Sequence, residues 1–327
     1  MAGHDPRLSA NASPGVGLLY DPRFLDHDTG PGHAERPDRL RAVVRHLKRT
    51  GMWDRVAHLP FKPAERSAIL RVHDPAYIDR LEAACAAGQG TIDCDDSAIC
   101  PRSASVAYLA AGAAVAGVEA VAGGAVDRAF ALVRPPGHHA ERDRSMGFCL
   151  FNNAAVAAEH WLAEHGARRV AIVDFDVHHG NATQHSFEDR ADVLFVSIHQ
   201  HPATCYPGTG HAHETGHGPG RGTTLNLPLM PGGGDDVYHD TMRDKVVPAL
   251  RSFAPDALLV SAGFDASAED PLAQMQVTTD GFHAIADSLR RFADETLDGK
   301  MVTLLEGGYD LDALSAGVAA YLEVILG

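Results

Sequence analysis

The chain has 327 residues, 45% hydrophobic and 22% charged, a composition typical of a globular protein that can bury a large core. Its formal net charge of −15 argues against a nucleic-acid-binding protein, which would need a basic surface. The five cysteines are odd in number and form no CxxC pair, which favours reduced thiols in a cytoplasmic enzyme. The first residues show no basic-then-apolar signal pattern.

Helical and strand patterns alternate along the chain, without a repeat or a linker. In chain order the pattern predicts a helix at 40–51, a helix at 102–124, a strand from 129 that ends at Pro135, a helix at 152–166, strands at 170–177, 192–199 and 256–263, a helix at 282–295, a strand at 301–308 and a last helix from about Leu311. This alternation predicts an α/β protein with a mostly parallel sheet. The uniform composition favours a single domain over residues 1–327.

The run from Ala104 to Ala122 is long and nearly uncharged, as a membrane span would be. It consists mostly of alanine and glycine and contains Glu119. We therefore expect a tightly packed helix of the fold, and no membrane attachment.

Four predicted strands end in side chains that bind metals or transfer protons. Ligands of open parallel sheets bind beyond the carboxyl ends of the strands. Those ends carry RPPGHHA with His138 and His139, DFDVHHGN with Asp174, Asp176, His178 and Asn181, SAGFDAS with Asp265, and LEGGYD with Tyr309. Four such ends at one edge of a sheet predict a catalytic site there.

Asp174, Asp176 and His178 occupy alternate positions of a predicted strand, so we expect them to point to one side. Buried carboxylates must be paired or bind a metal. A cation bound by Asp176, His178 and Asp265 would balance the charge and keep an open coordination position, which is typical of catalytic sites. The ligand set suits Zn²⁺, although Fe²⁺ or Co²⁺ would also bind. A buried ion pair of Asp176 and His178 is the alternative.

The motifs RPPGHHA, DFDVHHGN, YPGTG, SAGFDA and LEGGY together resemble those of the histone deacetylase superfamily. The likeness is greatest to class II and bacterial histone-deacetylase-like amidohydrolases, which neighbour the acetylpolyamine amidohydrolases. It implies the arginase–deacetylase fold, with one parallel eight-stranded sheet flanked by helices and a narrow tunnel that leads to zinc. One departure is Ala34, where the family has proline after His33, and it puts the stiffness of the first rim loop in doubt.

The resemblance assigns a role to each polar strand end. Asp176, His178 and Asp265 are implied to bind one zinc ion, which would polarise the acyl carbonyl and activate a water molecule. His139 is implied to be the general base and later the acid, and His138 an electrostatic partner.

Each of the two histidines needs a partner on its other ring nitrogen to fix its tautomer. The resemblance assigns Asp174 to His138 and Asn181 to His139. Class I members carry Asp at the position of Asn181, so the neutral amide should leave His139 less basic.

The remaining site residues are also assigned by resemblance. Tyr309 is implied to donate to the developing oxyanion, and a tyrosine here favours real deacetylase activity over the histidine of some poorly active relatives. Gly147, Phe148 and Tyr206 match the tunnel wall, with ordinary core packing as the alternative for the two aromatic residues. Asp96 matches the rim aspartate that binds the substrate backbone, with a solvated loop charge as the alternative.

The family also has structural sites for K⁺ or Na⁺. The resemblance places one such site at the side chains of Asp174 and Ser197 and the carbonyl groups of Asp176, His178 and Ile198. Oxygen-rich sites of this kind suit monovalent cations.

The substrate class stays open between acyl-lysine in a protein or peptide and an acetylated polyamine. The chain has no long insertion between Gly88 and Pro101 that would narrow the entrance, which favours acyl-lysine. Asp93, Asp95 and Asp96 would attract polyamines, or they form a solvated loop. A hydroxamate on a linear stem is expected to inhibit, because its two oxygens would chelate the metal.

Two further alternatives are an arginase-type hydrolase with two Mn²⁺ ions and a catalytically silent acyl-lysine binder. The segment RPPGHHAERD lacks the additional aspartates of the first, and the intact histidine pair and Tyr309 argue against the second. The sequence is compatible with a homo-oligomer.

Overall fold

The computed structural model describes residues 15–327. The N-terminal segment in which we found no signal pattern lies almost entirely outside these residues. The prediction of one domain over residues 1–327 therefore remains a prediction.

The centre of the fold is a sheet of eight parallel strands, as expected. The strands of residues 15–327 are β1 (Val16–Leu19), β2 (Ala57–His58), β3 (Thr91–Ile92), β4 (Cys94–Ala98), β5 (Arg128–Ala131), β6 (Val170–Asp174), β7 (Val193–Gln200), β8 (Thr224–Leu229), β9 (Ala257–Ala262) and β10 (Met301–Leu305). The order in the large sheet is β2-β1-β5-β10-β9-β6-β7-β8, and β3 and β4 form a separate antiparallel pair. Strands β6, β7, β9 and β10 are buried at every position, since helices cover both faces of a parallel sheet.

The helices that flank the sheet include every one that the sequence pattern predicts. They are α1 (Asp38–Arg49), α2 (Arg66–Ile69), α3 (Pro75–Ala86), α4 (Ser103–Ala122), α5 (Asn153–Glu164), α6 (Asn181–Phe187), α7 (Asp235–Thr241), α8 (Val247–Phe253), α9 (Thr279–Thr296) and α10 (Leu311–Leu326). One π-helical turn, Met242–Val246, joins α7 to α8.

Helix α4 is long and apolar enough to cross a membrane by length and composition alone. In the structure, 67% of its apolar window is buried, and it packs against α5 and β5. It is therefore the core helix that the alanine-rich composition predicts.

The prediction that one strand extends over residues 170–177 is wrong, because β6 ends at Asp174. Two aspartate side chains bend the chain here. The carboxylate of Asp174 accepts a hydrogen bond from the backbone of Asp176 (3.1 Å), and the carboxylate of Asp176 accepts one from the backbone of His178 (2.9 Å). Asp176 and His178 thus face the same site because of side-chain-stabilised turns, not because of strand alternation.

Candidate active site

The polar groups that the sequence predicts at four strand ends meet at the carboxyl edge of the sheet. His138 and His139 follow β5, and Asp265 follows β9, while Tyr309 follows β10. All of these side chains are buried, so their charges and hydrogen bonds must be satisfied within the protein.

Asp176, His178 and Asp265 form what we call the carboxyl-edge cluster. Nδ1 of His178 lies 3.0 Å from Oδ1 of Asp176 and 3.2 Å from Oδ2 of Asp265. Two ligands of one tetrahedral zinc ion lie about 3.3 Å apart, given bonds of 2.0–2.2 Å. The cluster therefore has the spacing of a metal site with three protein ligands.

The carboxylate of Asp265 argues against a simple buried ion pair. Its Oδ2 is buried and accepts no hydrogen bond, although its Oδ1 accepts one from the backbone of Val177 (2.9 Å). Burial and the charge of Asp176 raise the pKa of Asp265 above its ordinary value. One imidazole does not compensate two buried carboxylates, and a divalent cation would.

Two glycines make room for this cluster. A Cβ atom at Gly263 would overlap the carboxylate of Asp176, and one at Gly307 would overlap the carboxylates of both Asp176 and Asp265. The backbone of Gly307 also donates a hydrogen bond to Oδ2 of Asp176 (2.8 Å). The residues present thus fit a small divalent ion, since the backbone approaches both carboxylates closely.

The histidine pair has the two hydrogen-bond partners that the resemblance implies. Nδ1 of His138 donates to Oδ2 of Asp174 (2.9 Å), and Nδ1 of His139 donates to Oδ1 of Asn181 (2.6 Å). The two ring centroids lie 4.0 Å apart. In each ring, therefore, Nε2 is the nitrogen that does not contact Asp174 or Asn181.

These environments shift the pKa values of the two histidines in opposite directions. Burial by itself lowers the pKa of His138, but the carboxylates of Asp174 and Asp176 outweigh burial and raise it to about 10. Burial, together with the charges of His138 and His178, lowers the pKa of His139 well below its ordinary value. These effects favour the protonated form of His138 and the neutral form of His139.

Glu141, which the sequence patterns did not single out, determines the orientation of Asn181. Nδ2 of Asn181 donates to Oε1 of Glu141 (2.5 Å), so the amide oxygen faces His139. Glu141 also accepts a hydrogen bond from Nδ1 of the half-exposed His185 (2.9 Å). A chain of contacts thus leads from His139 to the surface. The glutamate directly follows the RPPGHHA motif, which was the available signal.

Glu306 and Asp270 are two further buried carboxylates that the sequence analysis did not assign. Glu306 accepts hydrogen bonds from the backbones of Gly137 (2.7 Å) and His138 (3.2 Å). Asp270 accepts one from the backbone of Tyr309 (2.6 Å). They hold the histidine loop and the tyrosine in place, because a carboxylate that accepts backbone hydrogen bonds fixes the loop that donates them.

The Tyr309 side chain lies between an aromatic ring and a guanidinium group. Its ring is 5.8 Å from that of Phe148, and the guanidinium carbon of Arg39 is 5.0 Å from its centroid. Burial outweighs the opposing effect of Arg39 and raises the pKa of Tyr309 well above its ordinary value. The hydroxyl therefore remains protonated and able to donate.

A cavity of about 230 Å³ leads to these groups. It is lined by Asp96, His139, Gly147, Phe148, His178, Tyr206, Leu272 and Tyr309. The three residues that match the family's tunnel wall and the rim residue Asp96 thus all line this cavity, and Leu272 is an addition. Gly147 has φ +56°, and a Cβ atom there would overlap the ring of His139.

Asp96 is not a solvated loop charge, because it belongs to strand β4. It accepts hydrogen bonds from Sγ of Cys94 (2.8 Å) and from the backbone of Gly147 (3.2 Å). Asp93 of the same acidic segment pairs with Arg80, with Nε and Oδ1 3.0 Å apart. Asp93 and Asp96 are thus engaged by neighbouring groups of the protein, whereas Asp95 is exposed.

The rim loop that lacks the family's proline is held by a buried ion network. Glu35 is fully buried and accepts hydrogen bonds from Nη2 of Arg134 (2.7 Å) and Nη1 of Arg39 (3.1 Å). Arg39 also donates to the carbonyl oxygen of Gly308 (2.6 Å). The loop is therefore anchored to the strand end that carries Tyr309.

Comparison with known proteins agrees with this geometry. A family model described as "Histone deacetylase domain" matches residues 33–325. The "Histone deacetylase-like amidohydrolase" of Pseudomonas aeruginosa is 44% identical over 279 residues, which are 85% of this chain and 73% of the relative. "Histone deacetylase 14, chloroplastic" of Arabidopsis thaliana is 43% identical over 326 residues, 95% of this chain and 77% of the relative.

A solved structure supports the same relationship. The structure titled "Crystal Structure of HDA15 HD domain" has a TM-score of 0.91 and 39% identity, and the match covers 97% of this chain and 89% of that chain. Its fold agrees with the eight-stranded parallel sheet flanked by helices. From motifs, fold and relatives together, the chain belongs to the histone deacetylase family.

Proposed function

We propose that the protein is a zinc-dependent deacetylase that removes acetyl, or another short acyl group, from the side-chain amine of acyl-lysine. The observation that carries this proposal is the carboxyl-edge cluster, in which Oδ2 of Asp265 is buried without a hydrogen bond and His178 lines the cavity. A zinc ion bound there would polarise the acyl carbonyl and lower the pKa of a water molecule.

The protein's own groups supply the proton transfers. Because Nδ1 of His139 donates to Asn181, its Nε2 has a free lone pair and can accept a proton from water. The imidazolium of His138 contributes positive charge where negative charge develops. The hydroxyl of Tyr309 donates a hydrogen bond to the oxyanion, and His139 then returns its proton to the leaving amine.

The shape of the cavity supports a linear acyl-lysine side chain as substrate. Phe148 and Tyr206 contribute aromatic walls, and burial of each methylene of the lysine stem would contribute about 0.8 kcal/mol. Asp96, which lines the same cavity, would accept hydrogen bonds from the substrate backbone. The pairing of Asp93 with Arg80 disfavours an acetylated polyamine as the main substrate.

Turnover of acetyl-lysine peptides, compared with acetylspermidine and acetylputrescine, tests the proposal. We expect the highest kcat/KM for the peptides and inhibition by a hydroxamate of lysine length. Faster turnover of the polyamines would contradict the substrate class. Absence of turnover on every substrate by metal-loaded protein would contradict the activity itself.

We further propose a cytoplasmic location and a structural site for a monovalent cation. The five cysteines are all free, which is in keeping with a reducing, cytoplasmic setting. Asp174 and Ser197 are register partners on β6 and β7, which supports a K⁺ or Na⁺ site at this pair. Retention of K⁺ by protein purified in sodium-free buffer would test the second.

A further inference from the structure

We propose a second site for a divalent transition-metal ion at the opposite edge of the sheet. It consists of Glu119 on α4 and His160 and His165 at the end of α5, which we call the amino-edge cluster. One ligand atom from each residue lies within 4.8 Å of the other two. This inference does not depend on the deacetylase activity.

The carboxylate of Glu119 lies between the two imidazoles. Its Oε1 is 2.6 Å from Nε2 of His160, and its Oε2 is 3.3 Å from Nε2 of His165. The second distance is about that between two ligands of one zinc ion, and the first requires only a small opening. Nε2 of His165 is buried and makes no hydrogen bond of good geometry, with the Glu119 carboxylate as its near neighbour, so a bound metal would satisfy this nitrogen.

The exposure of the three side chains suits a site with open positions for water. The imidazoles of His160 and His165 are 12% and 21% exposed, so neighbouring side chains hold them, whereas Glu119 is 52% exposed. Two imidazoles and one carboxylate select Zn²⁺, Co²⁺ or Ni²⁺ over Mg²⁺ and Ca²⁺, which prefer oxygen ligands.

The topology separates this cluster from the candidate active site. Helices α4 and α5 begin soon after Asp96 and Phe148, which line the cavity, and each helix leads into the amino end of a parallel strand. The cluster lies near the C-terminal ends of both helices. A helix of twelve residues such as α5 is about 18 Å long, so occupation of the cluster should leave turnover unchanged.

Equilibrium dialysis of the full chain against stepped concentrations of buffered free Zn²⁺, with bound metal measured by mass spectrometry, tests the proposal. We expect two binding steps in the wild type, the tighter one at the carboxyl-edge cluster. Glu119→Gln and His165→Gln should each lose the weaker step and keep the tighter step. Both should also keep wild-type turnover of an acetyl-lysine peptide. Replacement of Zn²⁺ by Mg²⁺ should abolish the weaker step.

Matched controls identify unspecific binding by surface side chains. Glu323 is an exposed carboxylate, and His213 is an exposed histidine whose ring stacks on that of His211 at 5.4 Å. Glu323→Gln and His213→Gln should keep both binding steps. A single step in the wild type, a weaker step that survives both cluster variants, or loss of that step in either control would each overturn the proposal.

Discussion

The two clusters contain the same kinds of ligand, but their surroundings differ. The carboxyl-edge cluster has two carboxylates and one imidazole, all buried, and glycines leave space around it. The amino-edge cluster has one carboxylate, which is half exposed, and two imidazoles. Water can stabilise an exposed carboxylate but not a buried one. Without a metal, therefore, the first cluster holds two buried carboxylates beside one imidazole, whereas water stabilises the single carboxylate of the second.

The largest effect is expected from a substitution in the buried carboxyl-edge cluster. Asp265→Ala should remove the tightly bound metal and reduce turnover to background, since two ligands are left and the open site loses its geometry. Glu119→Gln, at the exposed cluster, should retain tight metal and turnover. Elemental analysis and peptide turnover measure both results. Full zinc occupancy in Asp265→Ala would show that this carboxylate is not a ligand.

Replacement of the neutral histidine should give the next largest effect. His139→Ala should lower kcat by about 10²–10⁴ with metal retained, the usual contribution of a general base. His138→Ala should cost less, because its imidazolium acts through charge. Single-turnover rates of the two variants, with metal content measured, would check the order. Equal losses would contradict the separation of roles that the different hydrogen-bond partners support.

Tyr309→Phe should separate catalysis from substrate binding within the cavity. Loss of one oxyanion donor typically lowers kcat by about 10²–10³, and KM should change little because the phenyl ring keeps its contacts with Phe148. Steady-state kinetics with an acetyl-lysine peptide measure both constants. A variant that keeps more than half of the wild-type kcat would rule out this role.

The parts that the sequence predicted are those with local signals. Hydrophobic periodicity predicted the strands and the long helices, and glycine and proline marked their ends. The bend after Asp174 was missed because two side chains, not hydrophobicity, end the strand there. Arg39 was missed for a different reason. Its donors reach carbonyl groups of Glu306 and Gly308, more than 260 residues away, and no local pattern records such a contact.

The smallest expected effect concerns the pKa of His139 and tests the unforeseen contact between Asn181 and Glu141. The rate should fall on the acid side as His139 becomes protonated, because only the neutral ring accepts a proton. Any change that stabilises the imidazolium raises the pKa of His139 and moves the acidic limb of kcat/KM to higher pH. Asn181→Asp should do so, because a carboxylate would then face the ring.

Glu141 should weaken that shift. Its Oε1 lies 2.5 Å from Nδ2 of Asn181, so in Asn181→Asp two carboxyl groups would be in contact and would share one proton. The net charge near His139 would then resemble that of the wild type.

In the double variant with Glu141→Gln, the new amide can donate to the carboxylate at position 181, which keeps its full charge. The acidic limb should therefore move by about one pH unit or more in the double variant, and by less in Asn181→Asp. Glu141→Gln alone removes a negative charge and should move the limb to lower pH. pH–rate profiles of the four proteins, with metal content measured, check these directions. If the limb stays unchanged in the double variant with fold and metal intact, then Asn181 does not orient the base.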